Sequence, residues 1–201
     1  MKKDFIDLTD YERDTLVELV KRGIELKGGA APRKGKGKTL AMIFRKPSTR
    51  TNVSFQMAMH RLGGRALYLG GEALQISRGE SISDTARTLS RYVDALMIRT
   101  YSHREAVELA ASSLIPVING LTDLLHPCQA LGDVMSVTEM KGERYGDIKL
   151  AYVGDGNNVC NSLINAAGIF GFSFSAAVPE GYEPDKTLLD KVVFQLILLF
   201  H

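Results

Sequence analysis

The sequence predicts an α/β protein of two domains. A parallel-sheet domain covers residues 1–143, and a doubly wound α/β domain covering 144–201 follows it and is incomplete. Three observations carry this reading. Helical and strand-like apolar patterns alternate along the chain, as in repeated βαβ units. The pattern resets at Gly142-Glu143-Arg144-Tyr145-Gly146-Asp147. After that reset come only two clear strands and one helix, fewer than an open parallel sheet needs to cover both faces.

Taken in order, Thr9-x-x-Glu12 reads as a capping box, and Leu16, Leu19, Val20 and Ile24 then recur at helical spacing up to Gly28-Gly29. Arg33-Lys34-Gly35-Lys36-Gly37-Lys38 reads as a solvated basic loop. The apolar run Thr39–Phe44 predicts a buried strand, followed by a polar loop and a helix from about 49 to 62. Further strands are predicted at 65–69, 95–98 and 116–119, and helices at 84–92, 103–111 and about 129–141. Beyond the reset, 149–153 predicts a strand, 154–158 a tight turn, 159–170 a helix and 172–178 another strand. The apolar run 192–200 is interrupted by Gln195 and is far short of the ~20 residues of a membrane span. Apolar burial is worth about 25 cal/mol per Å², so this run is expected to seek the sheet, another chain or an aggregate.

Composition narrows the function. Hydrophobic residues make up 45% and charged residues 24% of the chain, and 25 basic against 23 acidic residues leave a net charge of +2. Such a balance argues against a protein that coats nucleic acid or an anionic membrane. The first residues carry no apolar run behind their basic side chains, so no signal peptide is read there. Two cysteines, Cys128 and Cys160, form neither a disulfide framework nor a metal pair. A reducing, cytoplasmic setting is expected.

Five features could carry chemistry. In Phe44-Arg45-Lys46-Pro47-Ser48-Thr49-Arg50-Thr51 a strand ends, a basic loop follows and hydroxyl residues open a helix. Free N–H groups, the positive helix end, three hydroxyls and the Arg50 fork would make a phosphate cradle. Equally, Ser48 or Thr49 is a plain helix cap and Arg50 a solvated charge. In Leu125-His126-Pro127-Cys128-Gln129, His126 and Gln129 flank a proline that fixes the turn, and such a pair can polarise a carbonyl oxygen. A capping or surface histidine is the plainer alternative, and Cys128 reads as a packing residue. Arg99 directly follows a strand. Ligands of open α/β sheets bind beyond the carboxyl ends of strands, so one crevice is expected to gather 48–51, Arg99 and His126. The turn Gly154-Asp155-Gly156-Asn157-Asn158 lacks the third glycine of a dinucleotide fingerprint and reads as a turn without cofactor. Gln75 lies in a glycine-flanked loop of the kind that is often functional.

Together these residues resemble the aspartate/ornithine carbamoyltransferase family. The resemblance rests on Ser48-Thr49-Arg50-Thr51, on Gln75 ahead of Gly79-Glu80-Ser81 and Asp84-Thr85-Ala86-Arg87, on Arg99, and on His126-Pro127-Cys128-Gln129. The turn 154–158 resembles the ornithine branch, and the similarity extends over about residues 1–190. It implies a carbamoyl-phosphate-binding first domain and an ornithine-binding second domain. The implied reaction transfers a carbamoyl group from carbamoyl phosphate to L-ornithine, giving citrulline and phosphate, without metal or organic cofactor. Carried over, Ser48, Thr49, Arg50 and Thr51 would hold the phosphate, and Arg99 would bridge phosphate and carbonyl oxygen. His126 and Gln129 would bind the carbamoyl end, with Arg99 and His126 as the catalytic pair. Gln75 would reach a neighbouring subunit's carbamoyl phosphate, implying a homotrimer or a multiple of one, and Asn158 would touch ornithine. No nucleic acid and no membrane enter this picture. Asn52 stands where the family usually has arginine, and the family's later ornithine motifs and final helix are absent. A truncated or frame-shifted chain with little or no turnover is therefore expected.

Overall fold

The computed structural model describes residues 2–30, 34–71, 74–190 and 196–200. The chain folds as two compact units, residues 1–6 with 30–123 and residues 7–29 with 124–201.

The first unit is a four-stranded parallel sheet in the order β2-β1-β3-β4. Its strands are β1 (Thr39–Phe44), β2 (Arg65–Gly70), β3 (Ala95–Arg99) and β4 (Val117–Leu121). The apolar runs of β1 and β3 are continuous because helices cover both faces of these central strands. Alternate residues serve each face. Ala41, Ile43, Leu96 and Ile98 pack with α3 (Ile82–Leu89) and α4 (His103–Ser112) through Ala86, Ala106 and Leu109. Leu40, Met42, Phe44 and Met97 pack with Phe55 and Met59 of α2 (Thr49–Arg61). β2 is an edge strand, and its Leu67 and Tyr68 are exposed, as are Val53 and Met57 on α2. At the opposite edge Phe5 adds a parallel bridge to β4, donating to Val117 O at 2.7 Å and accepting from Asn119 N at 2.8 Å.

The second unit holds α1 (Arg13–Lys27), α5 (Pro127–Lys141), α6 (Asn158–Phe170), the short α7 (Lys186–Leu189) and a parallel sheet in the order β5-β6-β7. Its strands are β5 (Lys149–Val153), β6 (Ser173–Val178) and β7 (Leu196–Phe200). α6 is apolar on most sides and carries nine buried residues. The polar ones are paired: Asn165 Nδ2 donates to Asp7 Oδ1 at 2.9 Å, and Asn161 Nδ2 to Leu124 O at 3.1 Å. Tyr145, at the predicted reset, is buried with its ring 5.0 Å from that of Phe170.

Three expectations change. The capping box is built by Asp7 and Asp10 around a short turn at Leu8–Asp10, and Thr9 takes part only through its N–H. Glu12, at the start of α1, makes no side-chain cap bond. Asp7 holds the extended N-cap conformation, so its carboxylate takes the Thr9 N–H and Asp10 returns to the Asp7 N–H. The second unit holds three strands rather than two, because 196–200 of the apolar tail pairs in parallel with β6, in register from Phe174↔Leu196 to Val178↔Phe200. Residues 192–195 lie outside the described part. Finally, α1 is compact with 124–201 and not with the strands that follow it in the chain: it packs on α5 and α6, and its Leu16 and Val20 are buried. In the basic loop, Arg33 lies outside the described residues, Lys34 and Lys36 are exposed, and Lys38 pairs with Asp94 at 2.7 Å. Among the described residues no helix is long and apolar enough to cross a membrane.

Gly132 lies inside α5, and a Cβ there would meet nothing within 4 Å. Glycine in a helix interior costs about 0.5–1 kcal/mol relative to alanine. Gly132→Ala should therefore raise stability by about that much in urea unfolding; destabilisation would show hidden crowding at this face.

Candidate functional site

The end of β1 is fastened to the end of β3. Arg45 N and Lys46 N both donate to Arg99 O, at 2.9 and 3.2 Å. The Arg45 guanidinium is bound by Glu105, whose other oxygen accepts from Thr100 Oγ1. Lys46 Nζ lies 5.3 Å from the centre of the Tyr101 ring. This clamp holds the loop that leads into α2. Arg45 and Glu105 escape a sequence reading because nothing local links positions 60 residues apart.

Ser48 is the N-cap of α2, as its residue type suggests: its Oγ accepts from Thr51 N at 3.2 Å and donates to Thr51 Oγ1 at 3.1 Å. Arg99 Nη1 in turn donates to Thr51 Oγ1 at 3.3 Å. Ser48, Thr51 and Arg99 thus form one hydrogen-bonded set at a helix N-terminus whose first turn has no acidic residue. Burial, and then the positive charge of Arg50, pull the Arg99 pKa below its ordinary value. Two guanidinium groups are felt by one another here, and Arg99 Nε is buried without a hydrogen-bond partner. A helix N-terminus with two neighbouring guanidinium groups and an orphan Nε–H donor is suited to an anion such as phosphate. Capping and anion binding are compatible here, since Ser48 caps and still presents its hydroxyl to the set. Gln75 is exposed in the short helical turn Gln75–Arg78, and none of the hydrogen bonds among Ser48, Thr51 and Arg99 involves it.

His126, Gln129 and Asn158 belong to the second unit. His126 is the N-cap of α5, with Pro127 at the first helical position. Its backbone N donates to Ser162 Oγ at 2.7 Å, and Ser162 Oγ donates to Asn158 O at 2.8 Å. Ser162, almost fully buried, therefore ties the start of α5 to the start of α6; its spacing of four from Asn158 on a helix was the available signal. Gln129 Nε2 donates to Asp133 Oδ1 at 2.9 Å. Asn157 caps α6, accepting from Val159 N and Cys160 N, which leaves Asn158 at the first helical position. Burial pushes the Cys128 and Cys160 thiols up to about 12, so both are inert packing groups at neutral pH. Residues 48–51 and Arg99 lie in the first unit and His126 in the second. Among the described residues no group of three or more His, Cys, Asp or Glu is placed to hold a metal ion.

Comparison with known proteins adds to this geometry. Residues 3–139 match the family described as aspartate/ornithine carbamoyltransferase, carbamoyl-P binding domain. Residues 146–196 match its Asp/Orn binding domain. The ornithine carbamoyltransferase of Pyrococcus horikoshii is 53% identical over 191 residues, 93% of this chain and 60% of that protein. That of Aquifex aeolicus is 48% identical over 196 residues, 96% of this chain and 64% of that protein. The chain thus spans less than two thirds of the length of these curated relatives. The solved ornithine carbamoyltransferase from Pyrococcus furiosus superposes with a TM-score of 0.92 at 47% identity, covering 98% of this chain and 66% of that one. The Thermus thermophilus structure gives 0.92 at 36% identity, covering 99% and 69%.

Proposed function

This chain belongs to the aspartate/ornithine carbamoyltransferase family, and from that premise we propose that it carries the carbamoyl-phosphate site and the start of the amino-acid site of an ornithine carbamoyltransferase. The division of labour follows the sequence boundary, with 1–143 serving carbamoyl phosphate and 144–201 belonging to the ornithine domain.

In the proposed reaction the δ-amine of L-ornithine forms a bond to the carbamoyl carbon, and negative charge grows on the carbonyl oxygen. The carbon–oxygen bond to phosphate then breaks, the amine gives up a proton, and citrulline and phosphate leave. This balance needs no metal and no organic cofactor. Ser48, Thr49, Arg50 and Thr51 hold the phosphate, Arg99 spans phosphate and carbonyl oxygen, and His126 and Gln129 take the carbamoyl end. Donors aimed at charge that develops in the transition state are worth about 3 kcal/mol each. Asn158 meets ornithine. The setting is the cytoplasm and the pathway arginine biosynthesis. The exposed apolar side chains Val53, Met57, Leu67 and Tyr68 support assembly into a homotrimer or a multiple of one, in which Gln75 reaches a neighbour's site.

The observation that carries this reading is the hydrogen-bonded set of Ser48, Thr51 and Arg99 under the charge of Arg50. Because the chain spans only 60–64% of those relatives, a second reading stands beside it: a carbamoyl-phosphate-binding or oligomerising chain without turnover. A carbamoyltransferase acting on aspartate or another amine would share 48–51 and differ at the amino-acid end.

Carbamoyl phosphate at millimolar concentration should raise the unfolding temperature, since a hundredfold excess over Kd adds about 2.7 kcal/mol to the folded state. Arg50→Ala should abolish the shift. Absence of any shift in folded protein would overturn the site. A citrulline assay beside it separates the readings: turnover with ornithine supports the enzyme, and binding without turnover supports the second reading.

A further inference from the structure

Gln129 stands in the first turn of α5, and its side-chain NH2 reaches Asp133 one turn later, at 2.9 Å. An ionised carboxylate only accepts hydrogen bonds, so Asp133 chemically dictates which end of the planar amide turns toward it. The NH2 end is taken up. The end left for a ligand is the carbonyl oxygen, an acceptor.

We propose that Asp133 is a positioning residue that fixes the polarity of the Gln129 amide, so that this site selects a ligand bearing N–H donors over an isostere bearing a methyl group. The inference rests on the reading that Gln129 meets the carbamoyl end, and it goes one step beyond it, from which residue touches the ligand to why that ligand must be an amide. Free in solution, a glutamine side chain can flip and offer donor or acceptor at little cost. Such an amide would tolerate either ligand; a locked one does not, because the wrong partner leaves polar groups unpaired.

Three further features of the structure support this role. The two groups act on each other: burial raises the Asp133 pKa, and the hydrogen bond from the Gln129 N–H offsets part of that rise by favouring the charged carboxylate. As a contribution to helix stability the pair is weak, since a polar contact four residues apart on a helix adds little. Gly132, which shares that helical face with Gln129, has open space around its Cα, so the face is not filled by packing.

The test uses two stable phosphonates of equal shape, phosphonoacetamide and acetonylphosphonate, which differ only as NH2 against CH3, with inorganic phosphate as the third ligand. Calorimetric titration of the full chain should show phosphonoacetamide binding roughly tenfold tighter than acetonylphosphonate, the worth of one hydrogen bond. In Asp133→Asn, where the side chain can donate as well as accept, that preference should fall below about threefold, while the affinities for acetonylphosphonate and phosphate stay within twofold. Gln129→Ala should lose the preference to the same extent, and the double variant should lose no more. An unchanged unfolding temperature in each variant confirms that selectivity, not folding, has moved. A tenfold preference that survives in Asp133→Asn would overturn this inference and leave the carbamoyl-phosphate site standing. Wild-type protein that binds no phosphonate and no phosphate would overturn both.

Discussion

Arg99→Met should leave the protein folded, at an unfolding temperature equal to or above that of the wild type, while weakening carbamoyl phosphate by about 100-fold in calorimetric titration. The two halves of this expectation have one cause. In the unliganded protein Arg99 is partly buried, its Nε has no partner, and Arg50 lies close enough for its charge to disfavour a second cation. Removing such a group relieves desolvation and repulsion, and methionine keeps much of the apolar stem. The hydrogen bond to Thr51 Oγ1 is lost, but at 3.3 Å it is long and the hydroxyl keeps Ser48. With an anion bound, the same residue supplies charge-assisted hydrogen bonds worth about 1.5–3 kcal/mol each, and losing one or two of them gives the 100-fold figure. This is the pattern of a site held strained for a ligand, where stability and function oppose each other. Binding within threefold of wild type would show that Arg99 does not face the phosphate, and a large loss of stability would show that it is a structural group.

Gly156→Ala should destabilise the second unit by about 3 kcal/mol, with a fall of more than 10 °C in its unfolding temperature. A Cβ on Gly156 would lie 2.2 Å from Pro184 N and 2.3 Å from Glu183 C. Those are backbone atoms and cannot rotate away. The segment is also held in place, because Gly156 N donates to Tyr182 O at 2.7 Å and Asp185 N to Asn161 Oδ1 at 3.0 Å, and the proline ring has little freedom of its own. The glycine is thus required by a close approach of two backbones. The effect is opposite in sign to that of Gly132→Ala. A loss under 1 kcal/mol would mean that 182–185 moves aside freely.

The elements with a clean local signature were legible. β1 and β5 were placed to the residue: β1 is an unbroken apolar run because helices cover both its faces, while β5 is a half-exposed edge strand bounded by the turn 154–158. Some helix ends matched, as at Thr49, His103, Lys141 and Phe170, and others were displaced by up to three residues. The helix expected at 84–92 runs Ile82–Leu89, because Ser81 caps its start and Ser90 Oγ turns back to Ala86 O to close its end. The hydroxyl and basic residues at 48–51 marked the start of α2, where Ser48 is the N-cap.

By itself the sequence determined the alternation of helices and strands, the hydroxyl-rich helix start that follows β1, and the motif set that places the chain in its family. Each is encoded within a few residues or in a fixed order of short motifs. Tertiary structure decided everything that depends on which distant segment arrives. α1 joins α5 and α6 although a hundred residues separate them, because its Leu16 and Val20 stripe specifies burial and not a partner. Glu105 reaches Arg45, Asp7 reaches Asn165, and β7 finds β6, each through hydrogen bonds whose partners are unconstrained until the chain is folded. An apolar pattern states how much surface must leave water, while the identity of the surface that covers it is a property of the whole packed unit.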